Sequence, residues 1–443
     1  MIRLPKDTQM TTDLLSKLIN LHKTEVNSRF NALQAAYENK YKIYDGERAD
    51  DGKPDNRVGT NFAKYITDTF NGFFCGIPPK VTSEDSKIGE FIEFLHRYNS
   101  IDNHNIELAK GSDILGACNE MYYVDEQSKL CIAKVSLLES FMVYDDSILA
   151  KPLFFIRYYK DCENTEYGSW SDKKVVQHFV MDPMYKWIDG EKEHNFPDVP
   201  ATEFIGNIER KGVFESQLPL IDEYNKALSE KSNEVDYFNE SYMKIIGPKV
   251  QEDQISVMSR TRVINYVTED GKESPVVEFM QKPSADATQE NLLDRLKDDI
   301  FQTSMVANIN DINFGNASGV AIKYRLKTMS DLAKVKEGKF RECFDRRYRI
   351  LFGHPLCDLA DDDWVKLNYY FTQNYPTNIG DEADTAAKLS GIVSEATQLK
   401  TLSIVDDVDK ELERKKAEEA EKTRDAVTRL MFDEGGPNAE KQS

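Results

Sequence analysis

The stretch 308–352 reads NINDINFGNASGVAIKYRLKTMSDLAKVKEGKFRECFDRRYRILF. A short asparagine-rich loop (Asn308, Asn310, Asn313, Asn316, closed by Ala317-Ser318-Gly319) runs into a long pattern without proline. Ile322, Leu326, Met329, Ala333, Phe340, Phe344 and Leu351 recur at steps of three, four or seven, which predicts a helix over 320–352 with one buried seam. From Ser318 to Phe352 ten Lys/Arg stand against four acids, so this segment is +6 in a chain of net charge −20 and leaves −26 for the rest. The expectation is a long amphipathic helix with a solvated basic side.

Upstream, the pattern 220–246 (Ile221, Tyr224, Leu228, Val235, Phe238, Tyr242, Ile245) has a narrow apolar stripe interrupted where Lys231 takes a seam position, and Gly247-Pro248 ends it. A small β excursion follows, with 263–267 and 276–280 flanking Asp270-Gly271. A second helix is expected over 284–306. Along it Asp286, Glu290, Asp294 and Asp298 recur every fourth residue, while Leu292, Leu293, Leu296 and Ile300 lie on the other side. Like charges at that spacing cost about 0.2–0.5 kcal/mol a pair on an isolated helix, so this face is either plain surface or kept for a purpose. The order helix, β insert, helix, loop, long helix implies an antiparallel helical pair with a protruding β tip.

The N-terminal half reads as helices first and a sheet after. Helices are expected over 11–43, with Thr12 as cap, over 61–75, and from Ser86 and Asn105. Strands are expected at 121–125, 130–136, 141–144, 153–159, 175–181 and 185–188, forming an antiparallel meander. Beyond 352 come Asp361-Asp362-Asp363, a strand over 365–371, helices over 381–399 and 403–432, and a tail over 433–443 expected to lack order. The fold class is α+β, mainly helical.

Hydrophobic residues make up 40% of the chain, enough for real cores, and no run approaches the roughly 18 apolar residues of a membrane span. Residues 1–10 lack the apolar core of an export signal. The six cysteines form no Cys-x-x-Cys pair and read as reduced, buried thiols. A charge of −20 argues against tight sequence-independent DNA binding, which arises from Lys/Arg displacing counterions at phosphates. There is no phosphate-binding Gly-x-x-x-x-Gly-Lys loop, and no histidine pair has metal-ligand spacing. Gly315 to Gly319 has the wrong spacing for a serine-nucleophile turn and reads as a helix start. Asp50-Asp51, Asp145-Asp146, Asp361 to Asp363 and Asp406-Asp407 are the remaining carboxylate clusters. They read as loops and caps, with a two-metal nuclease site as the alternative. No catalytic residue, metal site or cofactor is expected.

Four blocks together carry a resemblance. They are Asn56-Arg57-Val58 through Asn61-Phe62-Ala63-Lys64-Tyr65-Ile66 to Gly72-Phe73-Phe74-Cys75-Gly76-Ile77-Pro78; Leu220-Ile221-Asp222-Glu223-Tyr224-Asn225 with Asp236-Tyr237-Phe238; Phe314 to Lys323; and Leu389-Ser390-Gly391-Ile392-Val393-Ser394 with Thr397. In this order they resemble the portal proteins of siphophages that infect Gram-positive bacteria. The resemblance implies a homo-oligomeric ring, usually of twelve subunits, at one capsid vertex. Double-stranded DNA would pass through it without sequence specificity. Its implied partners are the terminase large subunit, a head-to-tail adaptor, and the major capsid and scaffolding proteins, with no membrane. It implies a virion protein assembled in the host cytoplasm.

The resemblance also implies a division of the chain. Residues 1–216 with 353–379 form a wing, 217–246 and 284–306 a stem, 247–283 a clip, 307–319 a tunnel loop, 320–352 a spine and 380–443 a crown. On it, Asp286, Glu290, Asp294 and Asp298 would face the DNA channel, and Asn308, Asn310, Asp311, Asn313, Phe314 and Asn316 would form the tunnel loop. Arg262, Asn265, Asp270, Gly271 and Lys272 would meet clip partners. A different structural ring, such as an adaptor, and a carboxylate metal-dependent nuclease are the competing readings.

Overall fold

The computed structural model describes residues 1–45, 54–239, 243–246, 276–279, 286–309, 319–375, 379–402, 404–405 and 408–433. The chain divides into two compact units, Met1–Asn308 with Thr328–Asn374, and Ile309–Lys327 with Tyr375–Ser443.

In the first unit, strand Ser140–Asp145 sits between two apolar layers. Its alternate residues Phe141 and Val143 pack with Leu15, Leu18 and Ile19 of helix Thr12–Glu25. Met142 and Tyr144 pack with Phe155, Val199 and Ala201 on the other face. Burial on both faces is why this strand reads as a run of apolar residues rather than an alternation. It belongs to a seven-stranded sheet, antiparallel through 152–160, 166–171 and 175–181, with Ile2–Leu4 added in parallel at one edge. A separate three-stranded sheet joins Ala117–Val124 to Leu130–Val135 and Ala201–Ile205.

Several expectations shift. Thr11, not Thr12, caps the first helix, accepting from the Leu14 N–H at 3.2 Å. The 11–43 pattern breaks into Thr12–Glu25, a wide π turn at Val26–Phe30, Asn31–Tyr37, and a 3-10 turn at Lys42–Tyr44. Strand Glu166–Ser171 went unread because Gly168 interrupts its pattern. A Cβ there would meet Arg157 O at 2.3 Å and the Phe179 ring at 2.3 Å, so only glycine lets the neighbouring strands close. The 365–371 strand shortens to Asn368–Tyr370, paired with Lys80–Thr82, because Asp363–Lys366 forms a 3-10 turn.

The long basic helix spans Lys327–Phe352, with a separate short helix at Gly319–Arg325. Its seam is buried as expected at Met329, Ala333, Phe340, Phe344 and Leu351. The basic side is not simply solvated, because Lys336 and Arg347 occupy seam positions in the core. Lys336 Nζ donates to Asp113 at 2.6 Å and to Ala109 O at 3.0 Å, with the Phe74 ring centroid 4.8 Å away. Arg347 grips Glu120 with two bonds, 2.8 and 2.6 Å, and donates to Asn105 at 2.9 Å. Arg346 also turns inward, to Asp198 at 2.8 Å.

Burial would raise the Glu120 value, yet the Arg347 guanidinium and His104 hold it down at about 2. Asp113 behaves oppositely: burial pushes it up to about 6 against the pull of Lys336, and burial lowers Lys336 itself. The Arg347–Glu120 pair is therefore firmly ionised, whereas burial works against both charges of the Lys336–Asp113 pair and their direct contact opposes it.

The second unit contains helices Gly319–Arg325, Ile379–Leu389, Glu395–Leu399 and Val408–Asp433. The expected continuous helix over 381–399 is interrupted at Gly391, whose φ of +77° a helix cannot hold. Ser394 then caps the next turn by accepting from the Thr397 N–H. The tail 434–443 lies outside the described residues.

Candidate functional site

Helices Leu218–Asn239 and Asp286–Ser304 pack together within the first unit. Ile221, Leu293, Leu296 and Ile300 are buried and give the two helices part of the expected seam, while Val235 and Leu292, expected in it, stand 56% and 46% exposed. Lys231, the residue that interrupted the stripe, remains largely covered and pairs with Glu290 of the second helix. The first helix ends at Asn239 rather than 246, because Met243–Ile246 forms a strand antiparallel to Val276–Phe279. Both segments are rich in β-branched residues, which favour the pleated ladder over a helical turn. The β excursion thus begins nearer the helices than the 263–280 reading placed it.

At its base the pair is locked by rings. Phe62, at the start of helix Phe62–Cys75, meets Tyr224 edge-on at 5.0 Å and Phe301 at 5.7 Å, and Tyr65 meets Phe301 at 5.6 Å. Such contacts add about 0.5–1.5 kcal/mol each beyond their burial.

A feature that sequence reading missed runs along the first helix. The Thr60 N–H donates to Asn225 Oδ1 at 2.8 Å, the Val58 N–H to Ser229 Oγ at 2.9 Å and the Asn56 N–H to Asn233 Oδ1 at 2.5 Å. The Asn56 side-chain amide continues to Asp236. Side chains four apart on a helix stand about 6 Å apart along its axis, and alternate residues of an extended chain about 6.6 Å apart, so the two spacings nearly agree. The helix thus supplies a polar ladder for an extended strap. The legible signal was Asn225, Ser229 and Asn233 at i, i+4 and i+8, a polar row where a solvated face would ordinarily carry charge.

The acidic row is exposed at Glu290, Asp294 and Asp298, and Asp286 begins the helix. It is not bare. Glu290 pairs with Lys231, and Asp294 accepts from Lys297 at 2.8 Å. Asp294 and then Asp298 hold Lys297 above its ordinary value. Each four-residue step also turns about 40° around the helix, so the row drifts from beside the seam at Glu290 to the outer surface at Asp298.

Asn308 is half-buried just beyond this helix. Asn310, Asp311, Asn313, Phe314 and Asn316 lie outside the described residues, as do Arg262, Asn265, Asp270, Gly271 and Lys272. Of the carboxylate clusters, Asp145 accepts from the Ser147 and Lys151 N–H groups, and Asp363 from the Ala360 N–H, so each closes a turn. Among the described residues, no three His, Cys, Asp or Glu gather as a metal site, and no helix is long and apolar enough to cross a membrane.

The family model described as phage portal protein, SPP1 Gp6-like, matches residues 16–425. The portal protein of Clostridium phage phiCD119 is 23% identical over 379 residues, covering 80% of this chain and 83% of its own. The portal protein of Bacillus phage SPP1 is 24% identical over 464 aligned positions, covering 96% and 90%. Among solved structures, the neck of an empty GTA particle computed with C6 symmetry aligns at a TM-score of 0.48 and 12% identity. It covers 77% of this chain and 90% of its own, a likeness too low to bear on function.

Proposed function

This chain belongs to the SPP1 Gp6-like family of phage portal proteins, a structural family of the virion, and we propose that its copies close a ring at one capsid vertex that conducts double-stranded DNA. The observation that carries the reading is the family match over 16–425, nearly the whole chain. The helix pair supports it: seamed inside and locked at its base to the wing, it is a stiff element that ring closure can repeat.

In this ring the acidic row Asp286, Glu290, Asp294 and Asp298 meets the channel, most directly at its Asp298 end, which lies farthest from the seam. Carboxylates repeated around the channel repel phosphate and release no counterions, so DNA slides rather than sticks. The loop holding Asn308, Asn310, Asp311, Asn313, Phe314 and Asn316, which carries no basic residue, acts as a collar around the duplex that does not grip phosphate. Arg262, Asn265, Asp270, Gly271 and Lys272 meet the terminase large subunit and the head-to-tail adaptor, and the C-terminal helices face capsid and scaffolding proteins. The protein assembles in the host cytoplasm and catalyses no reaction of its own.

Light scattering on the purified chain tests the ring directly. Twelve copies of 50.8 kDa would give a particle of roughly 600 kDa, whereas a monomer at every concentration would remove the ring. In assembled particles, Asp298→Lys is expected to lower packaged DNA length while rings still form. Normal packaging by that variant would take the channel assignment away from the row.

A further inference from the structure

The two flanks of helix Asp286–Ser304 are unlike, and their difference identifies what each meets. Successive helical residues turn about 100°, so Leu292 and Asp294 stand on opposite sides of the buried Leu293. On the Asp294 side lies a groove of about 380 Å³ between the two helices and Val58 of the strap. Tyr224, Leu228 and Leu293 line it, Val235 stands 56% exposed within it, and Lys231, Glu290 and Asp294 form its rim. On the opposite side Leu292 projects, 46% exposed, one turn from Arg295, whose guanidinium reaches Asp299 at 3.1 Å.

One flank is therefore an apolar hollow whose rim carries two carboxylates and one lysine, and the other is an apolar knob beside a cation. We propose that Leu292 of one copy seats in this groove of the next copy around the ring, with Arg295 answering Glu290 and Asp294 across the contact. A closed ring requires two different, mutually complementary surfaces on each subunit, and this element carries such a pair on opposite sides. The acids of these pairs are exposed on their outer side, so each can take up a second cation from the next copy while keeping its own lysine. The proposal rests on the ring reading and deepens it. It gives Glu290 and Asp294 a cation across the joint between copies in addition to their place on the channel row, whose Asp298 end meets the channel most directly.

The test mixes two full-length chains, one Val235→Cys and one Leu292→Cys, both also Cys162→Ser because Cys162 is the exposed native thiol among the described residues. The mixture is sized by light scattering, oxidised, and run on a non-reducing gel. A disulfide-linked dimer from ring-sized particles of the mixture, absent from either chain alone, is the expected result. Arg295→Glu should lower the cross-link yield by at least roughly threefold, and Asp294→Lys added to the partner chain should restore it. Ring-sized particles without the cross-link would overturn the groove contact while leaving the ring standing. Monomers throughout would remove the ring reading and this contact with it.

Discussion

The helices Lys327–Phe352 and Asp286–Ser304 are both heavily charged in sequence, and they use charge in opposite ways. The first buries Arg347 and Lys336 completely enough that each must be matched by a named acid from another segment, Glu120 or Asp113. The second keeps Glu290, Asp294 and Asp298 at the surface, with Glu290 and Asp294 each paired to a lysine on its inner side. Buried pairs fix one arrangement of the wing, because a charge left without its partner inside protein is very unfavourable. Surface pairs fix little, which leaves that helix free to meet other molecules.

The sharpest way to break this contrast is at Glu120. Glu120→Ala leaves the Arg347 guanidinium buried without its carboxylate and should destabilise the protein by about 3–5 kcal/mol, read as a large drop in melting temperature. Replacing both members of the other pair, Lys336→Met with Asp113→Asn, should cost far less, because burial already opposes the charged form of each. Equal losses from the two changes would erase the distinction between the pairs.

Acid should act on the same core in two stages. Burial lowers His22 and His96 to about 4, so the unfolded chain takes up their protons first, from about 6.5 downward. Their stabilisation is present above 6.5 and is lost as pH falls towards 4. Glu120, held at about 2, contributes above its ordinary 4.5 and loses that contribution between 4.5 and 2. Urea unfolding midpoints measured from pH 7 to 3 should fall in the first window before the second opens. Flat midpoints between 6.5 and 4.5 would mean that the histidines are not held neutral.

Smaller effects belong to the strap and the surface row. Ser229→Ala removes a partner of the Val58 backbone and should cost about 1 kcal/mol, with faster amide exchange confined to 56–60. Glu290→Gln should change monomer stability by less than about 0.5 kcal/mol, since its pair is exposed on the acid's side. A loss as large as that of Glu120→Ala would place Glu290 among the fixed pairs and end the comparison.

Much of the architecture was legible because periodicity reports burial. The helix pair, the hairpin 117–135 and the seam of the long helix all follow from spacing. What stayed hidden was the identity of residues inside gaps. Between Ala333 and Phe340, and between Phe344 and Leu351, the seam skips a turn, and the structure fills those turns with Lys336 and Arg347. A basic residue at such a position looks solvated until its acid is known, and Asp113 and Glu120 lie more than two hundred residues away in sequence. Strand Ala201–Ile205 escaped for a related reason, because Glu203 reads as solvent-facing yet pairs with Arg210 at 2.6 Å. Of the proposed contact residues, the acidic row was readable as a row. Its pairing with Lys231 needed the second helix in place.

The strap on helix Leu218–Asn239 behaves as a vernier. Two scales of nearly equal pitch, about 6 Å on the helix and about 6.6 Å on the extended chain, slip by roughly 0.6 Å at each mark. Three marks stay aligned, at Thr60, Val58 and Asn56, and by the fourth contact, at Asp236, a side chain has taken over from the backbone. Such a gauge tolerates substitution at the outward residues between its marks but not a change of length. One residue inserted between Asn56 and Thr60 would turn the donors of the shifted half away from the helix. The position of the stem along the wing is thus measured out by residue count, and length should vary in the loop before Asn56 rather than within the strap.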